Sequence, residues 1–178
     1  MRKIFNLCKC HGIHLLAIHL LGVENNCANY LSQLYPQHKW AITQHLFHFI
    51  NWKWGPHTIN HMATAQNSQL PHFNSHFWEA GSEAINATIQ DWCGKNNWVA
   101  PPITLIPQVL HLLLQQKVCT TVIAPVWTGK QWFHNLLHLS STPLITIPNT
   151  LSSFKWQGDH PPEPLHNLRW CWAAFRIC

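Results

Sequence analysis

Residues 105–124 read LIPQVLHLLLQQKVCTTVIA, and the change of pattern inside this stretch decides the fold class. From 105 to 116 the apolar residues recur at helical spacing. Pro107 is admitted in the first turn, where its missing N–H has no intrahelical partner to lose. From 118 to 124 the chain becomes β-branched and reads as a strand. The same alternation extends in both directions. Residues 98–100 read as a short strand stopped by Pro101 and Pro102, 131–139 as a helix and 144–147 as a final strand. Upstream, 58–63 reads as a strand followed by a polar loop through Asn67. Residues 83–92 repeat Ala84, Ala87, Ile89 and Trp92 at helical spacing and stop near Gly94. A helix over 41–50, with Leu46, Phe49 and Ile50 inward, follows a turn after Pro36. Helix and strand in alternation predict βαβ units and an α/β fold, with a three- or four-stranded, mainly parallel sheet flanked by helices.

Outside this block the pattern changes. Residues 12–33 read as a strand, a turn at Gly22 and a short helix. Residues 151–178 contain Pro161, Pro162 and Pro164, show no steady period, and read as a linker or disordered tail. The expected division is therefore 1–36, 37–150 and 151–178, with no internal repeat. The apolar run from Ile13 to Val23 is too short for a membrane span and is interrupted by His14 and His19. Seven cysteines form no paired spacing, which points to a reducing, intracellular compartment if the chain is expressed.

Composition narrows the chemistry. The chain has 178 residues and is 47% hydrophobic, so a folded core is expected rather than disorder. Only 10% of its residues are charged, against about 25% in soluble domains. Fourteen asparagines face two aspartates, and fifteen histidines and eleven glutamines face three arginines. Six acidic residues in no paired motif leave little for two-metal or carboxylate-pair catalysis. The bias runs in the direction of C-to-T and G-to-A transitions, as in a coding sequence decaying without selection for charge. A lineage favouring amides gives the same composition. The net charge of +5 reflects missing acids, with the lysines scattered, so charge alone marks no nucleic-acid surface.

The segment His19-Leu20-Leu21-Gly22-Val23-Glu24-Asn25, followed by Ala28-Asn29-Tyr30-Leu31-Ser32-Gln33, resembles the C-terminal end of the RNase H domain of retroelement reverse transcriptases. That family reads His-x-Pro-Gly-x-x-Asn and then Ala-Asp-x-Leu-Ser-Arg, its aspartate holding catalytic magnesium. Leu21, Asn29 and Gln33 depart from it. Asn29 stands at the metal position, and a neutral amide does not supply the charge that a hard Mg²⁺ site needs.

A longer resemblance runs through 37–148. Trp54-Gly55-Pro56, Asn60-His61-Met62-Ala63-Thr64, Pro101-Pro102, Ile106-Pro107, Ala124-Pro125-Val126-Trp127 and Trp132-Phe133 occur in order. This is similar to the segment after RNase H in DIRS-type, tyrosine-recombinase retrotransposons, itself similar to phage Dam-type adenine methyltransferases. Trp172–Ile177 resembles the linker before the recombinase. The resemblance implies a small Rossmann-like α/β module behind an incomplete N-terminal strand–helix remnant. It implies ancestral magnesium and S-adenosylmethionine as cofactors and ancestral nucleic acid as partner, with no membrane association.

It also implies lost chemistry. An amino-methyltransferase flips a base and holds it against an aromatic face. Ala100 offers no side-chain acceptor and Ile103 no stacking face, while Pro101 and Pro102 keep only the backbone turn. Asn60 replaces the carboxylate expected near the cofactor, with Ala63 and Thr64 beside it. These are vestigial positions, and no cofactor or active catalytic residue is expected. The expected function is a degenerate, non-catalytic fragment of a retrotransposon polyprotein. A domesticated non-catalytic binding module and a residual S-adenosylmethionine-binding domain are the alternatives. The spacings Cys8-x-Cys10-His11-x-x-His14 and His134/His138 fit zinc, but in a chain this rich in histidine they arise by accident. Trp40, Trp52, Trp54, Trp92, Trp98, Trp127 and Trp132 have no interleaved arginines and read as core rather than as base-stacking residues.

Overall fold

The computed structural model describes residues 11–14, 40–75, 78–156 and 170–178. The chain divides into two compact units, Met1–Gln37 and His38–Cys178, and every described helix and strand belongs to the second. The readings of 15–33, including Asn29, lie outside the described residues.

The strands alternate their side chains between two faces, and each face finds its own cover. In β5 (Asn97–Val99), β6 (Thr120–Pro125) and β9 (Trp172–Ile177), the side chains of Trp98, Ile123, Trp172 and Ala174 pack on one face. There they meet Phe47, Ile50 and Trp54 of α1 (Gln44–Trp54) and Phe154 of β8 (Phe154–Trp156). The alternate residues Val99, Val122, Ala124, Ala173, Phe175 and Ile177 meet α2 (Ile106–Gln116) and α3 (Gln131–Leu139) on the other face. Burial of both faces explains why these strands read as near-continuous apolar runs.

With β2 (Ile59–His61), β3 (Phe73–Ser75), β4 (Ala84–Ile85) and β7 (Ile145–Ile147), they form a seven-stranded sheet of order β4-β3-β2-β5-β6-β9-β7. The first five neighbours pair in parallel, and β9 runs antiparallel to both β6 and β7. β1 (Trp40–Ile42) pairs with β8 in a separate two-stranded sheet. The protein is thus α/β with a mostly parallel sheet, larger than the three or four strands expected.

Four local readings need correction. Ala41 and Ile42 belong to β1, so α1 starts later than expected, and its inward side chains are Phe47, Ile50 and Trp54 while Phe49 is exposed. The helix ends at Gly55, where a Cβ would lie 2.2 Å from the Asn51 carbonyl oxygen. Residues 83–92 are not a helix. Asn86 takes a left-handed conformation (φ 54°) between β4 and a 3₁₀ turn at Ala87–Ile89, which breaks the helical path. The connections 62–72, 76–83 and 86–96 carry no α-helix among their described residues. Finally, 151–178 contributes β8 and β9 rather than only a linker. Alanines 173 and 174 hide the period-two pattern of β9, and both are fully buried. That strand places Cys178 opposite Cys119, one register step beyond Thr120 and Ile177, and the two form a disulfide. Sequence spacing gave no sign of this pair, and the cysteine reading is corrected accordingly.

Candidate functional site

In an open α/β sheet, ligands bind beyond the carboxyl ends of the strands where the strand order reverses. Here the order reverses at β2, between β3 and β5. Residue 60 is in register with Trp98 and residue 61 with Val99. The fold therefore brings the segments 60–64 and 100–103 side by side at the carboxyl ends of β2 and β5.

Many of the polar groups there pair with one another, while Gln69 Oε1 and Asn74 Oδ1 are buried without a hydrogen-bond partner. Asn60 is buried, and its Oδ1 accepts the Gln69 N–H (2.9 Å), while the Ser68 hydroxyl, 3.4 Å from Oδ1, donates to the Leu70 carbonyl at 2.6 Å. Its Nδ2 donates to the carbonyls of His61 (3.2 Å) and Trp98 (3.5 Å). The amide thus ties the 62–72 loop to the sheet. Met62 comes next in a left-handed conformation (φ 57°). Ala63 is buried, with its N–H on the Asn74 carbonyl oxygen. Thr64 gives both its N–H and its hydroxyl to Asn67 Oδ1, while Asn67 Nδ2 reaches the Trp40 carbonyl. Glu79 Oε1, which no sequence pattern singled out, accepts the Ala65 N–H. On the neighbouring strand Ala100 is half-buried, Pro101 buried and Pro102 exposed, and Ile103 opens the 3₁₀ turn that leads into α2.

Two buried imidazoles lie at the two ends of β2, His61 in its last position and His57 just before its first. His61 stacks on Trp92 at 3.8 Å with an interplanar angle of 2°. Asn97 Oδ1 can only accept, so His61 Nε2 donates to it (2.9 Å), and His61 Nδ1 accepts from Asn74 Nδ2 (3.3 Å). Asn97 Nδ2 in turn serves the carbonyls of Trp92, Lys95 and Cys119. On the other face His57 Nδ1 donates to Asn51 Oδ1 (2.7 Å), and its Nε2 accepts the Thr121 hydroxyl (2.7 Å). Arg176 donates to Thr121 Oγ1 and Asn96 Oδ1. Burial lowers both histidines from 6.5 to about 4; Arg176 adds to the effect at His57, and the Asn97 hydrogen bond opposes it at His61. Neutral imidazoles locked on both nitrogens are structural, not proton shuttles.

Among the described residues, no group of three or more His, Cys, Asp or Glu side chains is placed to hold a metal ion. His134 Nε2 is hydrogen-bonded to the Thr128 carbonyl, and Cys8 and Cys10 lie outside the described residues. No described helix is long and apolar enough to cross a membrane. Of the seven tryptophans read as core, Trp54, Trp92 and Trp98 are buried, Trp40, Trp127 and Trp132 are partly buried, and Trp52 is exposed. No protein-family model matches the chain, and no curated protein matches it.

Proposed function

We propose that this chain derives from a DIRS-type retrotransposon polyprotein, joining the end of its RNase H domain to a Rossmann-like, methyltransferase-like module that no longer performs chemistry. The observation that carries this reading is the adjacency of residues 60–64 and 100–103 at the point where the strand order reverses. The order β4-β3-β2-β5-β6 is the three-two-one-four-five order of a doubly wound sheet when the strands are counted from β2. A methyltransferase needs its cofactor and its amino-group acceptor at that junction. Asn60 is spent on the 62–72 loop, Ala100 has no acceptor and Ile103 no aromatic face, so the scaffold outlives the reaction.

One observation favours the second reading, a domesticated binding module. The amides of Asn51, Asn60, Asn96 and Asn97 hold together the sheet and its loops. Such amides are working parts of the fold rather than random replacements of aspartate.

The proposal is tested by incubating the purified full chain with labelled S-adenosylmethionine and duplex DNA, and separately with an RNA–DNA hybrid and Mg²⁺. Neither methyl incorporation nor hybrid cleavage is expected, and either one sinks the non-catalytic reading. Sequencing the DNA around the coding region tests the origin. Reverse-transcriptase codons before Met1 and recombinase codons after Cys178 are expected, and unrelated flanks would remove the retrotransposon.

A further inference from the structure

The strand ends next to the vestigial site carry an aromatic rim. Met62, Ile103, Val126 and Trp132 come after three neighbouring strands, are only partly buried, and all pack on the α2/α3 face of the core. Trp127 lies 6.0 Å from Trp132 and 4.7 Å from Trp170, meeting the latter edge-on at 81°. All three indoles are part-exposed, and Thr128, Gly129, Lys130 and Gln131 beside them are exposed. Half-covered tryptophans clustered on a ligand-binding edge are costly to leave in water, and such patches mark binding surfaces.

Of the described cations after residue 100, Lys117 and Arg176 lie at the amino ends of the strands, away from the rim. Lys130 is the cation that sits in the rim itself, between Trp127 and Trp132 in the chain. Planar faces with a cation between them fit a ligand that offers several flat heteroaromatic rings joined by phosphates.

We infer that this rim binds single-stranded nucleic acid, stacking unpaired bases on Trp127 and Trp132 and placing a backbone phosphate at Lys130. Base stacking on indole tolerates any sequence, because every base has a π-face. A paired base keeps its faces covered by its neighbours, so a duplex offers the indoles nothing. The stacking surface absent at Ile103 is thus supplied from the next strand, without a reaction. The inference rests on the proposed function only for the choice of ligand-binding edge.

The test is fluorescence anisotropy of a short labelled single strand of mixed sequence, titrated with the full chain. Saturable binding is expected, weaker for the matching duplex. Trp127→Ala and Trp132→Ala should each weaken it about thirtyfold, the middle of the range for one base–aromatic stack. Trp132→Phe keeps an aromatic face and should retain most of the affinity, which separates stacking from misfolding, and Lys130→Gln should reduce the salt slope by about 0.7. Absence of binding, equal affinity for the duplex, or indifference to all three tryptophan variants would overturn the inference. So would self-association of the protein that buries the rim. S-adenosylmethionine measured in parallel separates the two ideas. A cofactor effect with strand binding intact defeats the non-catalytic reading alone, and no effect of either ligand defeats this inference alone.

Discussion

The two ends of the sheet are built differently. At the amino ends of β2, β5 and β6, a chain of side chains is hydrogen-bonded link by link. Arg176 reaches Asn96 and Thr121, Thr121 reaches His57, and His57 reaches Asn51. The Cys119–Cys178 bond closes the same end covalently. At the carboxyl ends, the loop after β2 is tied down by the Asn60 amide, and the loop after β6 leaves indoles partly in water. The difference teaches where stability and function separate. One end spends its polar groups on the fold, and the other leaves the outer parts of core-packed apolar side chains in water.

The largest effect expected is on pH, and it belongs to the satisfied part of the molecule. His57 and His61 titrate at about 4 in the fold, against 6.5 when unperturbed. The unfolded chain therefore binds more protons over that interval. Stability should be full above about pH 6.5, fall as the pH drops towards about 4, and level off below. Each imidazole contributes on the order of 3 kcal/mol to the fall. Denaturant unfolding at stepped pH checks this, and a flat profile between those limits would show that neither imidazole is buried neutral.

Next is Trp92→Ala, which empties a fully buried site and removes both the stack on His61 and the Nε1–H bond to the Ala87 carbonyl. A loss of about 3–5 kcal/mol is expected in denaturant melts, and a loss below about 1 kcal/mol would contradict the buried stack. Introducing a carboxylate by Asn60→Asp should cost about 2 kcal/mol, because Nδ2 now donates to two carbonyls that an aspartate oxygen would face unpaired. A stabilised variant would mean that the site still wants the acid. Thr128→Ala, on the exposed rim, is the smallest. It should change stability by less than about 0.5 kcal/mol, and a larger thermal shift would make the rim part of the fold after all.

Legibility in the sequence divides along similar lines. The elements of the covered half are plain. Helix 131–139 is legible to the residue, and α2, β5, β6 and β7 each stand where the pattern puts them, because long periodic runs and prolines mark them. The other half is not plain. In 83–92, alanine and isoleucine at helical spacing imitate a helix that left-handed Asn86 interrupts. β9 pairs with β6 and β7 from far along the chain, and its small residues carry no visible period. At the candidate site, 60–64 and 100–103 are neighbours because β2 and β5 pair, a contact between segments far apart in the chain. The role of Asn60 is invisible to local pattern, since its partner Gln69 is brought to it by a loop that no such pattern marks.

The central claim, a methyltransferase-like scaffold whose pocket is no longer a pocket, is tested most directly by cofactor-dependent thermal stability. A ligand present at a hundred times its dissociation constant stabilises the folded state by about 2.7 kcal/mol. With Asn60 buried and tied to the 62–72 loop, and Ala100 and Ile103 lacking the groups for recognition, millimolar S-adenosylmethionine should leave the melting temperature of the full chain unchanged. A saturable upward shift would contradict the account and show a live cofactor site at the reversal of the sheet.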